Sequence, residues 1–133
     1  MASVNGSVRK RVLIVDDEDL SRVLLSRVIQ RSNIRPVDIL LAEDGEEALR
    51  IAQAEHPDLI LLDLLLPKLN GYEVCKQLRS IPHYEPYVII LTARGQNTDR
   101  LQAKESGAND FMTKPFNPSG LLAQLNALWN SHS

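Results

Sequence analysis

The sequence predicts an α/β fold: one doubly wound parallel sheet made from five strand–helix units. Three observations carry that expectation. Short aliphatic runs such as Val12–Val15, Leu59–Leu62 and Val88–Leu91 show no polar alternation, as strands buried on both faces do. Segments with apolar residues at helical spacing lie between them. The runs end on polar residues, and right-handed crossovers bring the carboxyl ends of such strands to one edge, where chemistry occurs in open α/β sheets.

The first run follows Arg9-Lys10-Arg11, a solvated strand entrance, and opens onto Asp16-Asp17-Glu18-Asp19. The next helix is expected to bury Leu20, Leu24 and Val28, flanked by Leu25 and Ile29, with Ser21, Arg22, Ser26 and Arg27 outside. Asp19 is its expected N-cap. Pro36 starts a second strand, Val37–Ala42, and Asp44 with Glu47 forms a capping box. The helix behind that box buries Ala48, Ile51 and Ala52 and ends before Pro57. A third strand, Asp58–Leu62, delivers Asp63. After the loop Pro67–Gly71, helical spacing of Gly71, Val74, Cys75 and Leu78 marks a third helix, and Ser80–Pro86 with its two prolines is irregular.

The fourth run, Val88–Leu91, delivers Thr92. The helix around Asp99–Ser106 has a thin apolar stripe, Leu101 and Ala103, and Gly107 suits its C-cap. Such a helix is partner-facing or simply solvated. A short fifth strand, Asn109–Thr113, delivers Lys114-Pro115. Asn117 caps the last helix, Pro118 takes its first position, and Leu121, Leu122, Leu125, Leu128 and Trp129 form its face.

With 133 residues the chain is expected to form one domain over 9–131 behind a flexible tail, 1–8. A net charge of −2 gives no footprint for nucleic acid. No apolar run approaches the ~20 residues that span a membrane, and the amino terminus lacks a signal-type apolar region. The lone Cys75 cannot form an internal disulfide, which fits a reducing compartment, the cytoplasm. It lies on the inner face of its helix and is expected to pack. His56, His83 and His132 have no metal-ligand spacing and are expected in solvent or loops.

Asp16, Asp17, Asp63, Thr92 and Lys114 therefore meet at one edge. Taken singly, each is more often an ordinary surface residue; together they are specific. Two carboxylates ~4 Å apart repel by about 4 kcal/mol at an effective dielectric of ~20, so the cluster needs cations. Lys114 is one, and a hard divalent ion with oxygen ligands, Mg²⁺, is the natural other. A metal beside an ionised Asp and a Lys suits phosphoryl transfer, which needs positioning and charge stabilisation. The Thr92 hydroxyl can donate to a phosphoryl oxygen, and in-line attack by Asp63 would give an aspartyl phosphate.

From about Arg11 to Trp129 the chain resembles the receiver domain of two-component response regulators. The matching pieces are Val-Leu-Ile-Val-Asp16-Asp17-Glu, Leu-Leu-Asp63-Leu-Leu-Leu-Pro67, Gly71-Tyr-Glu, Leu-Thr92-Ala93-Arg and Lys114-Pro115-Phe116. The resemblance implies a flavodoxin-like (βα)5 fold with strand order 2-1-3-4-5, and Asp63 as phosphoacceptor from a histidine kinase or histidine phosphotransfer protein. It implies Mg²⁺ on Asp17, Asp63 and the Leu65 carbonyl, with Asp16 acting through metal-bound water. Thr92, the Ala93 backbone and Lys114 would engage the phosphoryl oxygens, with a cis Lys114–Pro115 bond. Thr92 and Phe111 would form the switch, biasing a two-state equilibrium. Output would pass through the face of the fourth helix, fifth strand and fifth helix, where Leu101 and Lys104 are either contact candidates or simply solvated, with dimer formation on phosphorylation as one outcome. No effector is expected after Trp129, so output goes through protein contacts.

Three departures from the family pattern stand out. Phe111 replaces the commoner Tyr, Asn70 replaces a frequent Asp, and Leu65 with Arg94 at the dephosphorylation-tuning positions predicts a long-lived phosphoryl group. The domain would promote only its own phosphorylation and dephosphorylation and is not otherwise an enzyme. Two rivals share parts of the pattern. A phosphatase of the haloacid dehalogenase type needs an acid two residues past its nucleophile, where Leu65 stands. A flavodoxin-like FMN binder would place its phosphate against Asp16-Asp17-Glu18-Asp19, which repels it.

Overall fold

The structure, a computed structural model, describes residues 9–93, 97–114 and 117–132, without the side chains of 97–99, 131 and 132. The strands are β1 (Lys10–Val15), β2 (Val37–Ala42), β3 (Leu59–Asp63), β4 (Tyr87–Thr92) and β5 (Asp110–Thr113). They alternate with α1 (Asp19–Arg31), α2 (Gly45–Glu55), α3 (Gly71–Arg79), α4 (Asn97–Glu105) and α5 (Pro118–His132). All pairings are parallel and the order is β2-β1-β3-β4-β5, as expected. The expected tail 1–8, Arg94 and the Lys114–Pro115 bond lie outside the described residues.

Successive strand residues point to opposite faces, so each buried run feeds two cores. Leu13, Val15, Ile60 and Leu62 pack with Ala48, Ala52, Val74, Cys75 and Leu78 of α2 and α3 and Ala103 of α4. Val12, Ile14, Leu59 and Leu61 pack with Leu25, Val28 and Ile29 of α1 and Leu121 and Leu125 of α5. This two-sided burial is why β3 reads as an unbroken aliphatic string. Cys75 is fully buried, and desolvation raises its thiol pKa, so it is packing material.

The helix ends follow the sequence in most places. The Asp44 side chain accepts from the Glu47 amide while the Glu47 carboxylate accepts from the Glu43 amide, one residue before the N-cap. Asn70 caps α3 by accepting from the Glu73 amide, a bond an Asp there would make equally well, so the departure leaves this helix end intact. α4 ends in a Schellman motif: Ala108 N–H donates to Ala103 C=O and Gly107 N–H to Lys104 C=O, with Gly107 at φ +102°. The peptide before Pro36 is cis. His132 is the last residue of α5.

α1 differs from expectation in two ways. Its N-cap is Glu18, not Asp19, and no side chain caps it; Asp19 is the first helical residue and pairs with Arg22. Its buried stripe is Leu25, Val28 and Ile29, whereas Leu20 is 69% exposed and Leu24 is also exposed. The helix is rotated because the i+4 series Leu20–Leu24–Val28 and the neighbouring Leu25 and Ile29 compete for one face about 100° wide. The sheet takes the series centred on Leu25 and Ile29, and Arg22 turns inward with it.

Candidate functional site

The carboxyl edge of the sheet collects the acids as expected. Asp16 follows β1 directly and is 1% exposed, Asp63 is the last residue of β3 at 9%, and Asp17 lies exposed beside them. One oxygen from each lies within 4.8 Å of the others, the arrangement of a group that could hold a metal ion. Lys114, just past β5, places Nζ 2.5 Å from Asp16 Oδ2 and 3.8 Å from Asp63 Oδ1. Thr92 ends β4 and is fully buried, and its carbonyl accepts from the Lys114 amide at 2.7 Å. Two strands thus hand over their functional side chains through one backbone hydrogen bond.

Asp16 has all four polar groups engaged. Its amide donates to Ala42 O, Oδ1 accepts from the Glu18 amide, Oδ2 faces Lys114, and its carbonyl accepts from Arg22 Nη1 at 2.6 Å. Asp17 has no side-chain partner among the described residues. Burial pushes the Asp63 carboxyl up to about 6, helped by the charges of Asp16 and Asp17 and opposed by Lys114 and the Leu64 amide. One ammonium against three acids leaves the site short of positive charge. An all-oxygen donor set with that deficit fits a hard divalent cation.

The backbone behind Asp63 is tight. Gly71 N–H donates to Leu64 O at 2.8 Å, and a Cβ on Gly71 would meet Asp63 O at 2.7 Å and Leu64 Cα at 2.9 Å. Only glycine admits this approach, which seats the start of α3 against the strand end. Leu65 lies two residues past Asp63 with its side chain largely exposed, and Ala93 is exposed at the end of β4. Phe111 on β5 is turned into the core, with the Arg100 guanidinium carbon 5.0 Å from its ring centroid. Leu101 and Lys104 lie exposed on α4.

The structure thus brings together Asp16, Asp17, Asp63 and Lys114, with Thr92 beside them. Sequence reasoning missed Arg22, assigned above to the solvent side of α1. Its side chain is 11% exposed and reaches from α1 to the turn carrying the acids. The available signal was the i, i+3 opposite-charge pair Asp19–Arg22 directly after that turn.

A doubly wound sheet with three acids, a threonine and a lysine on its carboxyl rim is the arrangement of a receiver domain. The sequence profile of the response regulator receiver domain matches residues 12–126. The chain therefore belongs to the response regulator receiver family of two-component signalling, a family of signalling domains. It is 46% identical over 121 residues to the alkaline phosphatase synthesis transcriptional regulatory protein PhoP of Bacillus subtilis, covering 91% of this chain and 49% of that protein. The chain thus spans about half the length of the curated relatives it matches.

Among solved structures, the chemotaxis response regulator CheY4 of Vibrio cholerae matches with TM-score 0.81 and 31% identity over 91% of this chain and 99% of that one. The Mn²⁺-bound form of response regulator Rcp1 matches with TM-score 0.74 and 28% identity over 90% and 91%. Among the described residues, no helix is long and apolar enough to cross a membrane.

Proposed function

We propose that Asp63 accepts a phosphoryl group from the phosphohistidine of a sensor kinase or histidine phosphotransfer protein. The observation that carries this is the carboxylate trio within 4.8 Å, with the Lys114 ammonium between Asp16 and Asp63. An Asp63 oxygen attacks phosphorus in line, the phosphorus–nitrogen bond of the donor breaks, and the imidazole leaves with its electron pair. Asp17, Asp63 and the Leu65 carbonyl would hold Mg²⁺, with Asp16 acting through water. When bound, the ion supplies positive charge against the phosphoryl oxygens.

The other residues have separate roles. Lys114 is near enough to Asp63 to move from Asp16 to a phosphoryl oxygen. The Thr92 hydroxyl and the Ala93 amide donate to the remaining oxygens. Thr92 moving towards the phosphoryl group, with Phe111 following it, shifts a pre-existing equilibrium and alters the α4–β5–α5 face. Phe111 has no hydroxyl to hydrogen-bond, so core packing and the Arg100 guanidinium over its ring hold its inward position. Leu65 and Arg94 tune dephosphorylation, making loss of the phosphoryl group to water slow.

The receiver unit spans 9–131, works in the cytoplasm, and acts on no substrate beyond its own phosphoryl group. A relative named as a transcriptional regulator of about twice this length favours output to transcription through further protein contacts, with dimer formation on phosphorylation as one route. The receiver's own net charge of −2 gives it no electrostatic footprint for nucleic acid.

The test is incubation with acetyl phosphate or a phosphorylated kinase and MgCl₂, read by intact mass. One phosphoryl group should be gained, and none in Asp63→Asn or with EDTA. A labelled Asp63→Asn protein would overturn the assignment.

A further inference from the structure

We propose that Arg22 is a positioning residue for the metal site, acting through the backbone of the turn that carries Asp16 and Asp17. This rests on the reading of Asp17 and Asp63 as Mg²⁺ ligands. The guanidinium of Arg22 is nearly buried although it sits in the first turns of a surface helix. Nη1 donates to the Asp16 carbonyl at 2.6 Å. Nη2 pairs with Asp19 and lies 3.7 Å from Glu43 Oε1 at the end of β2. One side chain thereby ties α1, the β1–α1 turn and the β2–α2 loop together.

The geometry has a specific consequence. The Asp16 carbonyl belongs to the peptide that joins Asp16 to Asp17. Fixing that oxygen fixes the plane of the peptide, and with it the direction in which Asp17 leaves the chain. Asp16 is held by four separate bonds, but the Asp17 carboxylate has no partner among the described residues to orient it. Its aim depends on the backbone, and Arg22 sets that backbone. Groups one layer behind a ligand commonly change metal affinity by roughly 10–100-fold. Arg22 works on the ligand's main chain, so the low end applies.

Charge alone predicts the opposite sign. A cation near a divalent-ion site repels the ion, so its removal should tighten binding. Asp19 and Glu43 neutralise Arg22 on its outer side, so positioning outweighs repulsion and removal should weaken binding.

The experiment is a MgCl₂ titration of ¹⁵N-labelled protein, followed through backbone amide shifts at neutral pH and well below each variant's unfolding midpoint. Arg22→Met should bind Mg²⁺ about tenfold more weakly, and Arg22→Lys, which keeps a donor of similar reach, should recover to within about threefold of wild type. At saturating Mg²⁺, Arg22→Met should be phosphorylated by acetyl phosphate at close to the wild-type rate. Glu43→Gln, an exposed change that removes one anchor, should cost about threefold and covers the case in which Arg22→Met does not fold. Unchanged affinity with only a lowered unfolding midpoint overturns the proposal, as does tighter binding. If wild type and Asp17→Asn both fail to respond to Mg²⁺, the metal reading falls, and the proposal with it.

Discussion

Replacing Asp63 by Asn should stabilise the metal-free protein. The carboxyl is pushed up to about 6 in the folded chain against an ordinary 3.8, chiefly by burial. Each pK unit is worth about 1.4 kcal/mol, so an ionised Asp63 costs the fold about 3 kcal/mol at pH 8. Because the folded pKa is the higher one, the unfolded chain loses this proton first. The stability contribution is complete below about pH 3.8 and is lost as pH rises through about 6. Asparagine carries no charge at any of these pH values and escapes the loss. Urea unfolding in EDTA should therefore show Asp63→Asn more stable by about 3 kcal/mol at pH 8 and by about 1 kcal/mol at pH 4.5. Mg²⁺ at a hundredfold excess over its dissociation constant should return about 2.7 kcal/mol to the wild type, and much less to the variant. A gain that is absent at pH 8, or that stays flat between the two pH values, refutes the account of a charge-starved site.

Three further outcomes follow from the same geometry. Gly71→Ala drives a methyl group to 2.7 Å from Asp63 O; it should cost about 1–3 kcal/mol in urea unfolding and weaken Mg²⁺ binding by displacing the strand end. Lys114→Met leaves the buried Asp16 without its cation, at a cost of about 3 kcal/mol that added Mg²⁺ should partly reverse, as a thermal shift series would show. The phosphorylated form should decay slowly, as the tuning role proposed for the residue types at positions 65 and 94, Leu and Arg, requires; a half-life of seconds by intact mass would contradict this.

The sheet was legible because a parallel strand buried on both faces has no choice but to be continuously aliphatic. Val12–Val15, Leu59–Leu62 and Val88–Leu91 announce themselves, and the polar residue after each run marks the rim. The cap at Asp44 was legible because it is a local contest between a side chain and nearby amides. The face of α1 was not. Six aliphatics within the ten residues 20–29 allow more than one stripe, and the choice depends on how the helix lies on β1 and β3, which no local pattern records. The same rotation hid Arg22: a charged residue between leucines looks solvated until the helix is docked. Lys114's preference for Asp16 over Asp63, a difference between 2.5 and 3.8 Å, likewise exists only once strands distant in sequence are set side by side.

The two faces of the sheet are closed by different sets of helices, while the acids, Thr92 and Lys114 hang from the rim that both share. The reactive rim and the molecule's exterior are therefore separable in design. The outer surfaces of α1 and α4, with Leu20 and Leu101 on them, can be rewritten without touching the bonds that hold Asp16 or the glycine that seats Asp63. One unchanging piece of chemistry can thus wear many exteriors. Insulation between parallel signalling lines in one cell becomes a property of those exteriors, and not of the chemistry they enclose.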